Sequence, residues 1–152
     1  MPAIVVRRTV DAPGDQVWAV LTDFAGYGRW IPLTTMDADP PPVRVGWGFS
    51  GRTGLGWAGF VDSMLVTRWE PPGVDGRARF RIRKTGRLLA GWADITLDVR
   101  PERHTDVVWL EEIVLRPEPV GRRIAPLVDP VVAQLFGRVV DRMLAAATRG
   151  PR

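Results

Sequence analysis

Hydrophobic positions near the C-terminus recur every three to five residues, which is the spacing of one face of a helix. The pattern predicts a long amphipathic helix over Pro130–Thr148, which Asp129 caps and Gly150 ends. A helical turn upstream, residues 121–127, is predicted to be kinked or separate, because Pro126 and Pro130 interrupt helical hydrogen bonding. The apolar stripe consists of Val131, Val132, Leu135, Phe136, Val139, Val140, Met143 and Leu144.

The first part of the chain predicts one strand and two short helices. Ala3–Val10 is rich in β-branched residues and is predicted to be strand one. A helix is predicted to start at Pro13, and a second short helix is predicted over Tyr27–Pro32. The apolar face of the first helix consists of Val17, Trp18, Val20, Leu21 and Phe24.

From residue 33 to residue 115 the pattern changes to strand-like runs between short turns. Short turns between consecutive strands indicate hairpins and an antiparallel meander. The predicted strands are Leu33–Ala38, Val43–Arg52, Trp57–Trp69, Arg77–Thr85, Leu88–Arg100 and Thr105–Leu115. The order of elements predicts a single α+β domain over residues 1–148 and a disordered tail over residues 149–152.

Composition narrows the class of protein. A chain of 152 residues with 45% apolar residues predicts one globular domain with a real core. The absence of cysteine excludes disulfides and thiolate metal sites, and no apolar run is long enough to span a bilayer. We see no signal peptide and expect a cytoplasmic protein. Seven tryptophans suit a core around a cavity, and they suit a tightly filled core equally well.

Arginines alternate with apolar residues in the run from Arg77 to Arg83. A period of two places all four arginines on one face, which we expect to face solvent because burying unpaired guanidinium groups is costly. An anionic partner or a membrane surface is the alternative reading of this face. Nucleic acid is not expected, because no aromatic residues interleave there.

Two motifs fail their context requirements. Residues 46–51 match G-x-G-x-x-G, but a turn and another strand follow where a dinucleotide site needs a helix. His104 is the single histidine and lies in a predicted turn, so we expect a surface residue. The sequence therefore predicts neither a metal site nor a cofactor.

Glu111 is the candidate for acid or base chemistry. It alternates with Trp109 and Ile113, and this set is the more apolar one, so we place Glu111 on the inner face. A carboxyl among apolar groups has a raised pKa and can act as an acid, a base or a polar anchor. A reversed register and an ion pair with an arginine remain open as alternatives.

Several segments resemble the opening and closing parts of the SRPBCC or START-like superfamily, which includes the birch-pollen-allergen fold. Residues 10–13, 17–23 and 27–32 look like its opening, and residues 60–62, 69–72 and the closing helix look like its polyketide cyclase/dehydrase-like branch. The resemblance implies a helix-grip fold, in which a seven-stranded antiparallel sheet wraps around the C-terminal helix and encloses a deep apolar cavity. It also implies binding of lipids, sterols, polyketides or similar molecules, and some members are cyclases or aromatases.

We therefore predict a protein that binds a small hydrophobic molecule between the sheet and the C-terminal helix. Loops around Trp30–Leu33 and Gly51–Trp57 would gate the cavity. A polyketide cyclase, aromatase or dehydratase with Glu111 in a catalytic role is the alternative, and a protein-interaction module is the second alternative. The candidate ligand-binding residues are Trp30, Trp47, Phe49, Phe60, Met64, Phe80, Ile82, Trp109, Phe136, Val140 and Met143.

Overall fold

The computed structural model describes residues 4–150 and contains one seven-stranded antiparallel sheet and one long helix. The predicted start of strand one at Ala3 lies outside the described residues, and so do residues 151 and 152 of the predicted tail. In chain order the elements are β1 (Ile4–Val10), α1 (Gly14–Leu21), a 3-10 helix (Phe24–Arg29), β2 (Thr34–Ala38), β3 (Gly48–Leu55), β4 (Ala58–Glu70), β5 (Arg77–Thr85), β6 (Leu89–Arg100), a short 3-10 helix (Pro101–Arg103), β7 (His104–Leu115) and α2 (Glu118–Thr148).

The strands lie in the order β1-β7-β6-β5-β4-β3-β2. Strands β2 to β7 form the predicted meander, and β1 pairs with β7 at the far edge. The segment with α1 and the first 3-10 helix therefore connects the two edge strands. Both α1 and α2 pack on one face of the sheet, which we call the inner face. This arrangement confirms the α+β class and the helix-grip fold.

An aromatic cluster fills the core beneath α1 and the first 3-10 helix. Phe24 stacks on Phe49 with ring centroids 4.4 Å apart. Trp18 lies 4.9 Å from Trp69 and 5.5 Å from Phe80 between ring centroids. The sequence did not assign a face to Trp69, and the structure places it on the inner face. These rings are packed against one another, which is how large apolar side chains stabilise a core.

The outer face carries the arginines of β5, as the alternation predicted. Ala78, Phe80 and Ile82 are buried on the inner face, so the arginines between them lie outside. Arg79 donates two hydrogen bonds to Asp94, at 2.8 and 2.6 Å. Arg81 lies over the ring of Trp92, another residue without an assigned face, at 4.7 Å from the centroid.

The structure corrects the predicted start of the long helix. α2 runs without interruption from Glu118 through Pro126 and Pro130, so the predicted start at Pro130 and the two-piece alternative are wrong. Gly121 and Ala125 are buried in this first part of α2. Tertiary packing of that segment therefore outweighs the hydrogen bonds that the two prolines remove.

Three further boundaries differ from the prediction. The second short helix covers Phe24–Arg29 instead of Tyr27–Pro32. Strand β3 begins at Gly48 and not at Val43, since Gly46 has a positive φ of 89° that a strand does not adopt. His104 is the first residue of β7 and not a turn residue.

Candidate functional site

Three charged side chains meet on the inner face of the sheet. Asp62 lies on β4, Lys84 on β5 and Glu111 on β7. The alternation of β5 explains the position of Lys84, because Ala78, Phe80, Ile82 and Lys84 all occupy the buried set of positions. The same alternation places Glu111 on the face of Trp109, as the sequence predicted.

Lys84 joins the two carboxylates. Its Nζ lies 2.6 Å from Oδ2 of Asp62 and 3.5 Å from Oε1 of Glu111. The indole Nε1 of Trp109 donates a hydrogen bond of 3.1 Å to Oε2 of Glu111. The side chains of Lys84 and Glu111 are only 7% and 5% exposed, so this polar cluster is held inside the protein.

Small residues on the intervening strand make the contact possible. β6 separates β5 from β7, and its residues Gly91 and Ala93 are the cross-strand partners of Lys84 and Glu111. A Cβ on Gly91 would lie 1.9 Å from the carbonyl oxygen of Glu112, so no larger residue fits there. The Lys84 side chain can therefore cross β6 and reach Glu111.

Burial and the neighbouring charges shift the pKa values of Lys84 and Glu111. Burial raises the pKa of Glu111, although Lys84 and the indole of Trp109 act in the opposite direction. Burial alone would lower the pKa of Lys84, but the charges of Glu111 and Asp62 together raise it. The lysine therefore stays an ammonium, while Glu111 holds its proton to a higher pH than an exposed glutamate does.

The first 3-10 helix carries a buried tyrosine. The hydroxyl of Tyr27 donates a hydrogen bond to the carbonyl of Leu21. Burial raises the pKa of Tyr27 above its ordinary value, and the charge of Glu111 adds to the effect.

Two buried polar atoms have no hydrogen-bond partner among residues 4–150. They are Oδ1 of Asp62 and the indole Nε1 of Trp30, one an acceptor and the other a donor. A buried polar group without a partner costs about 1–3 kcal/mol. A molecule with a hydroxyl or carbonyl oxygen could satisfy such atoms.

Helix α2 passes over the part of β7 that carries Glu111. At one side, Gly121 packs against Leu115 so closely that an added Cβ would lie 2.5 Å from its carbonyl oxygen. At the other side, the ring of Phe136 lies 5.2 Å from the ring of Trp109. Glu111 lies between these two anchors along β7.

Helix α2 is buried unevenly along its length. Ala125, Val132, Phe136 and Val140 share one face of the helix, at intervals of four or seven residues. Ala125 and Val140 are buried, whereas Val132 and Phe136 between them are only partly buried. The middle of α2 is therefore covered less completely than the parts on either side of it.

The structure separates the eleven predicted ligand-binding residues into three groups. Trp47, Phe49, Phe80 and Ile82 are buried in the core, the first three with the aromatic cluster, and Val140 and Met143 are buried residues of α2. Met64 Sδ lies 4.0 Å from Lys84 Nζ, Trp109 contacts Glu111, and Phe136 contacts Trp109. Trp30 is partly buried against the core. Phe60 is 37% exposed near the start of β4. The role of these residues in binding stays a prediction.

The two predicted gating segments adjoin each other. The backbone N–H of Gly54 donates a hydrogen bond of 3.0 Å to the carbonyl of Leu33. However, β3 continues to Leu55 and β4 begins at Ala58, so most of Gly51–Trp57 is strand and only a two-residue turn remains. Trp57, the third tryptophan without an assigned face, lies in this turn.

Two surface grooves lie away from the cluster of Asp62, Lys84 and Glu111. One of about 660 Å³ lies around the turn between β4 and β5, and one of about 560 Å³ lies on the outer face across β1, β6 and β7. Neither is lined by Lys84, Glu111 or Asp62. About half of the residues that line them are charged and both grooves are open to solvent, so we base the candidate site on the buried cluster.

Sequence reasoning missed Lys84 and Asp62 as site residues. A signal for Lys84 was present, since it continues the buried half of the β5 alternation and is the one lysine among twenty-one basic residues. No comparable signal marked Asp62. The predicted alternative of an arginine partner for Glu111 is corrected by the structure, because the partner is Lys84.

Within residues 4–150, no group of three or more His, Asp or Glu side chains is arranged to hold a metal ion. None of the helices in that range combines the length and the apolar character that a membrane span requires.

The fold and the cluster define an α+β helix-grip protein with a buried ion-pair network under its C-terminal helix. Residues 1–149 match the family described as polyketide cyclase/dehydrase and lipid transport, and the chain belongs to this family. No protein in the curated set matches the chain.

Solved structures with the same fold include an enzyme. The Zhui aromatase/cyclase from a Streptomyces species is 17% identical, with a TM-score of 0.70 over 97% of this chain and 93% of that one. A protein of Thermus thermophilus is 14% identical, with a TM-score of 0.72 and coverage of 97% and 99%. A hypothetical protein of Helicobacter pylori is 13% identical, with a TM-score of 0.75 and coverage of 95% and 87%. At these identities the likeness shows the fold alone.

Proposed function

We propose that the protein binds a small apolar molecule with an oxygen substituent, between the inner face of the sheet and the middle of α2. The observation that carries this proposal is Oδ1 of Asp62, a buried acceptor with no donor among residues 4–150. It lies in the same cluster as Glu111, over which α2 passes. A ligand hydroxyl would supply the missing hydrogen bond, and the apolar side chains of α2 would cover the rest of the molecule.

The family description supports this reading, since it joins polyketide chemistry with lipid transport. Polyketides and many lipids combine an apolar frame with hydroxyl or keto groups. An unpartnered buried acceptor matches such molecules better than it matches a pure hydrocarbon.

A matched pair of probes tests the proposal. Naphthol and methoxynaphthalene have the same ring system, but only naphthol has a hydroxyl to donate to Asp62. We expect naphthol to bind about tenfold more tightly or better, as measured by isothermal titration calorimetry. Asp62→Asn should abolish this preference, whereas Asp37→Asn, at an exposed position of β2, should leave it unchanged. Equal affinities of the two probes for the wild-type protein would contradict the proposal.

A second candidate function is a cyclase, aromatase or dehydratase that acts on a poly-β-ketone in the same place. The contact between Glu111 and Lys84 favours it. A carboxylate with a raised pKa can take a proton from a carbon between two carbonyl groups, and an adjacent ammonium can stabilise the enolate oxygen that forms. The aromatase/cyclase with the same fold is consistent with this candidate.

Turnover of a poly-β-ketone thioester mimic would test this second candidate. Glu111→Gln should reduce kcat by about a hundredfold or more, because the glutamine cannot accept the proton. Glu112→Gln is the matched control, since this neighbour points to the other face of β7. The absence of turnover by a wild-type protein that binds naphthol would leave the binding proposal and remove the enzymatic one.

A further inference from the structure

One end of the sheet gathers several turns and the start of α2. In an antiparallel sheet, the turns that follow β3 and β5 lie at the same end as the C-terminus of β7. The backbone N–H of Arg116 donates a hydrogen bond of 2.8 Å to the carbonyl of Leu88, which joins the β5–β6 turn to the segment before α2. Gly54 contacts Leu33 in the same way at the β3–β4 hairpin. We call this end the rim.

Large apolar side chains are exposed at the rim. Trp57, at the tip of the β3–β4 hairpin, is 96% exposed, and Leu55 in the same hairpin is 68% exposed. An isolated exposed apolar residue is ordinary, but a group of them at one end of a protein marks an interaction surface. The other exposed members are Leu33, Leu88 and Val120, the last in the first turn of α2.

The rim is also basic. Its exposed charged residues are Arg52, Arg87, Arg116, Glu118, Arg122 and Arg123. Five arginines against one glutamate make this end positive within a chain whose formal net charge is only +4. The guanidinium of Arg52 donates a hydrogen bond of 3.2 Å to the carbonyl of Gly56, so the positive charge reaches the hairpin turn itself.

We propose that the rim docks on the surface of an anionic lipid bilayer, with Trp57 at the level of the headgroups. Tryptophan is enriched at membrane interfaces because it combines a large apolar ring with one polar N–H. Arginines around it would bind lipid phosphates, and each basic residue near an anionic leaflet strengthens attachment. The apolar residues come from several turns and from the first turn of α2, all at one end of the sheet, which suits a bilayer surface better than the single groove or flat patch of a protein interface.

This proposal does not depend on the ligand proposed above, and it is tested without one. The purified full chain is mixed with vesicles of phosphatidylcholine, or of phosphatidylcholine with one-third phosphatidylglycerol, and binding is measured by co-sedimentation. We expect binding to the anionic vesicles and a steep loss of it between low and high salt. The double variant Arg87→Gln/Arg116→Gln should bind at least about tenfold more weakly.

Matched variants separate the rim from general basicity. Arg77→Gln/Arg103→Gln removes two exposed arginines at the opposite end of the sheet, and it should bind like the wild type. Brominated lipids should quench part of the fluorescence of the bound protein, and Trp57→Phe should lose that part of the quenching while still binding. Trp57→Ala should bind more weakly with an unchanged circular dichroism spectrum.

Three results would overturn the proposal. The first is the absence of binding to anionic vesicles at low salt. The second is an equal loss of binding in the rim and control variants, which would indicate non-specific attraction. The third is retention on an immobilised acidic peptide without vesicle binding, which would assign the rim to an acidic protein partner.

Discussion

At the residue scale, Lys84 determines the state of the candidate site. It is the shared partner of the buried Glu111 and the partly buried Asp62, and its own pKa is raised by their charges against the effect of burial. A buried ion pair does not by itself indicate stability, but the removal of one partner leaves the other charge uncompensated. Substitution of Lys84 or Glu111 is therefore expected to change the free energy of unfolding, in a direction that follows from the charge left behind.

Lys84→Met should lower the free energy of unfolding by about 3–5 kcal/mol at neutral pH, because Asp62 and Glu111 would be left buried without a counter-charge. Urea denaturation measures this loss. Arg83→Met, at the next and exposed position, should change stability by less than about 0.5 kcal/mol. Adding Glu111→Gln to the Lys84→Met variant should recover part of the loss, and no recovery would show that the two side chains are not coupled.

Glu111 also predicts a pH dependence of stability. Its pKa is raised in the folded protein, so between the unfolded and the folded pKa the native state holds more protons than the unfolded chain. The contribution of the protonated Glu111 to the free energy of unfolding is fully present at pH values below the unfolded pKa. It is lost as the pH rises through the folded pKa, and it amounts to about 1.4 kcal/mol for each pH unit that separates the two pKa values.

Thermal unfolding of the wild type and of Glu111→Gln between pH 4 and pH 9 measures this effect. The difference in Tm should shift in favour of the glutamine variant as the pH rises. Glu112→Gln should show no such trend, because that side chain lies on the other face of β7. Parallel pH profiles for the wild type and Glu111→Gln would contradict the prediction.

At the element scale, the approach of β6 to β7 depends on one glycine. Gly91 has a φ of 124°, and a Cβ there would meet the carbonyl oxygen of Glu112. Gly91→Ala should lower stability by about 1–3 kcal/mol or more, because of the backbone conformation and the clash.

Substitution of Gly137 in α2 by alanine is expected to raise stability, in contrast to the same change at Gly91. A Cβ there would meet no described atom within 4 Å, and alanine is the better helix former. Gly137→Ala should raise stability by about 0.5–1 kcal/mol. Urea denaturation of the two variants measures the sign of each change in the free energy of unfolding. A stabilised Gly91→Ala variant would contradict the first prediction and would show that β6 can shift relative to β7.

Packing between elements also explains why the start of α2 was not predicted from the sequence. Pro126 and Pro130 lower the local preference for a helix, and a reading of local pattern ends the helix there. Packing of Gly121 against Leu115 holds the N-terminal part of α2 in place. This contact joins residues that belong to different elements, and nothing in the spacing of apolar residues announces it.

At the scale of the whole molecule, α2 is held unevenly. Its C-terminal part is buried through Val140, Met143 and Ala147, whereas the inner face of its middle is only partly buried. Regions with few buried contacts open with a smaller free energy than the core does. The middle of α2 is therefore the part that a ligand could order.

Hydrogen exchange should show this difference directly. Amides of residues 128–137 should exchange faster than those of residues 140–147 in the free protein, and naphthol should slow the former selectively. Uniform exchange along α2, with or without naphthol, would mean that the helix middle is packed as firmly as its end.

Patterns in the sequence were sufficient to predict the class of fold and the faces of β5 and β7. The order of elements follows from apolar spacing, and the period of two in β5 and β7 placed the arginines outside and Glu111 inside. These features depend on near neighbours in the chain, which is the information that a pattern contains.

The composition of the site, in contrast, depends on how distant segments pack. Asp62, Lys84 and Glu111 come from three strands, and they meet because the registers align and because Gly91 and Ala93 leave space between them. The exposure of Trp57 and the unpartnered oxygen of Asp62 likewise result from contacts between distant segments. Such contacts depend on strand register and helix position, which local periodicity does not contain.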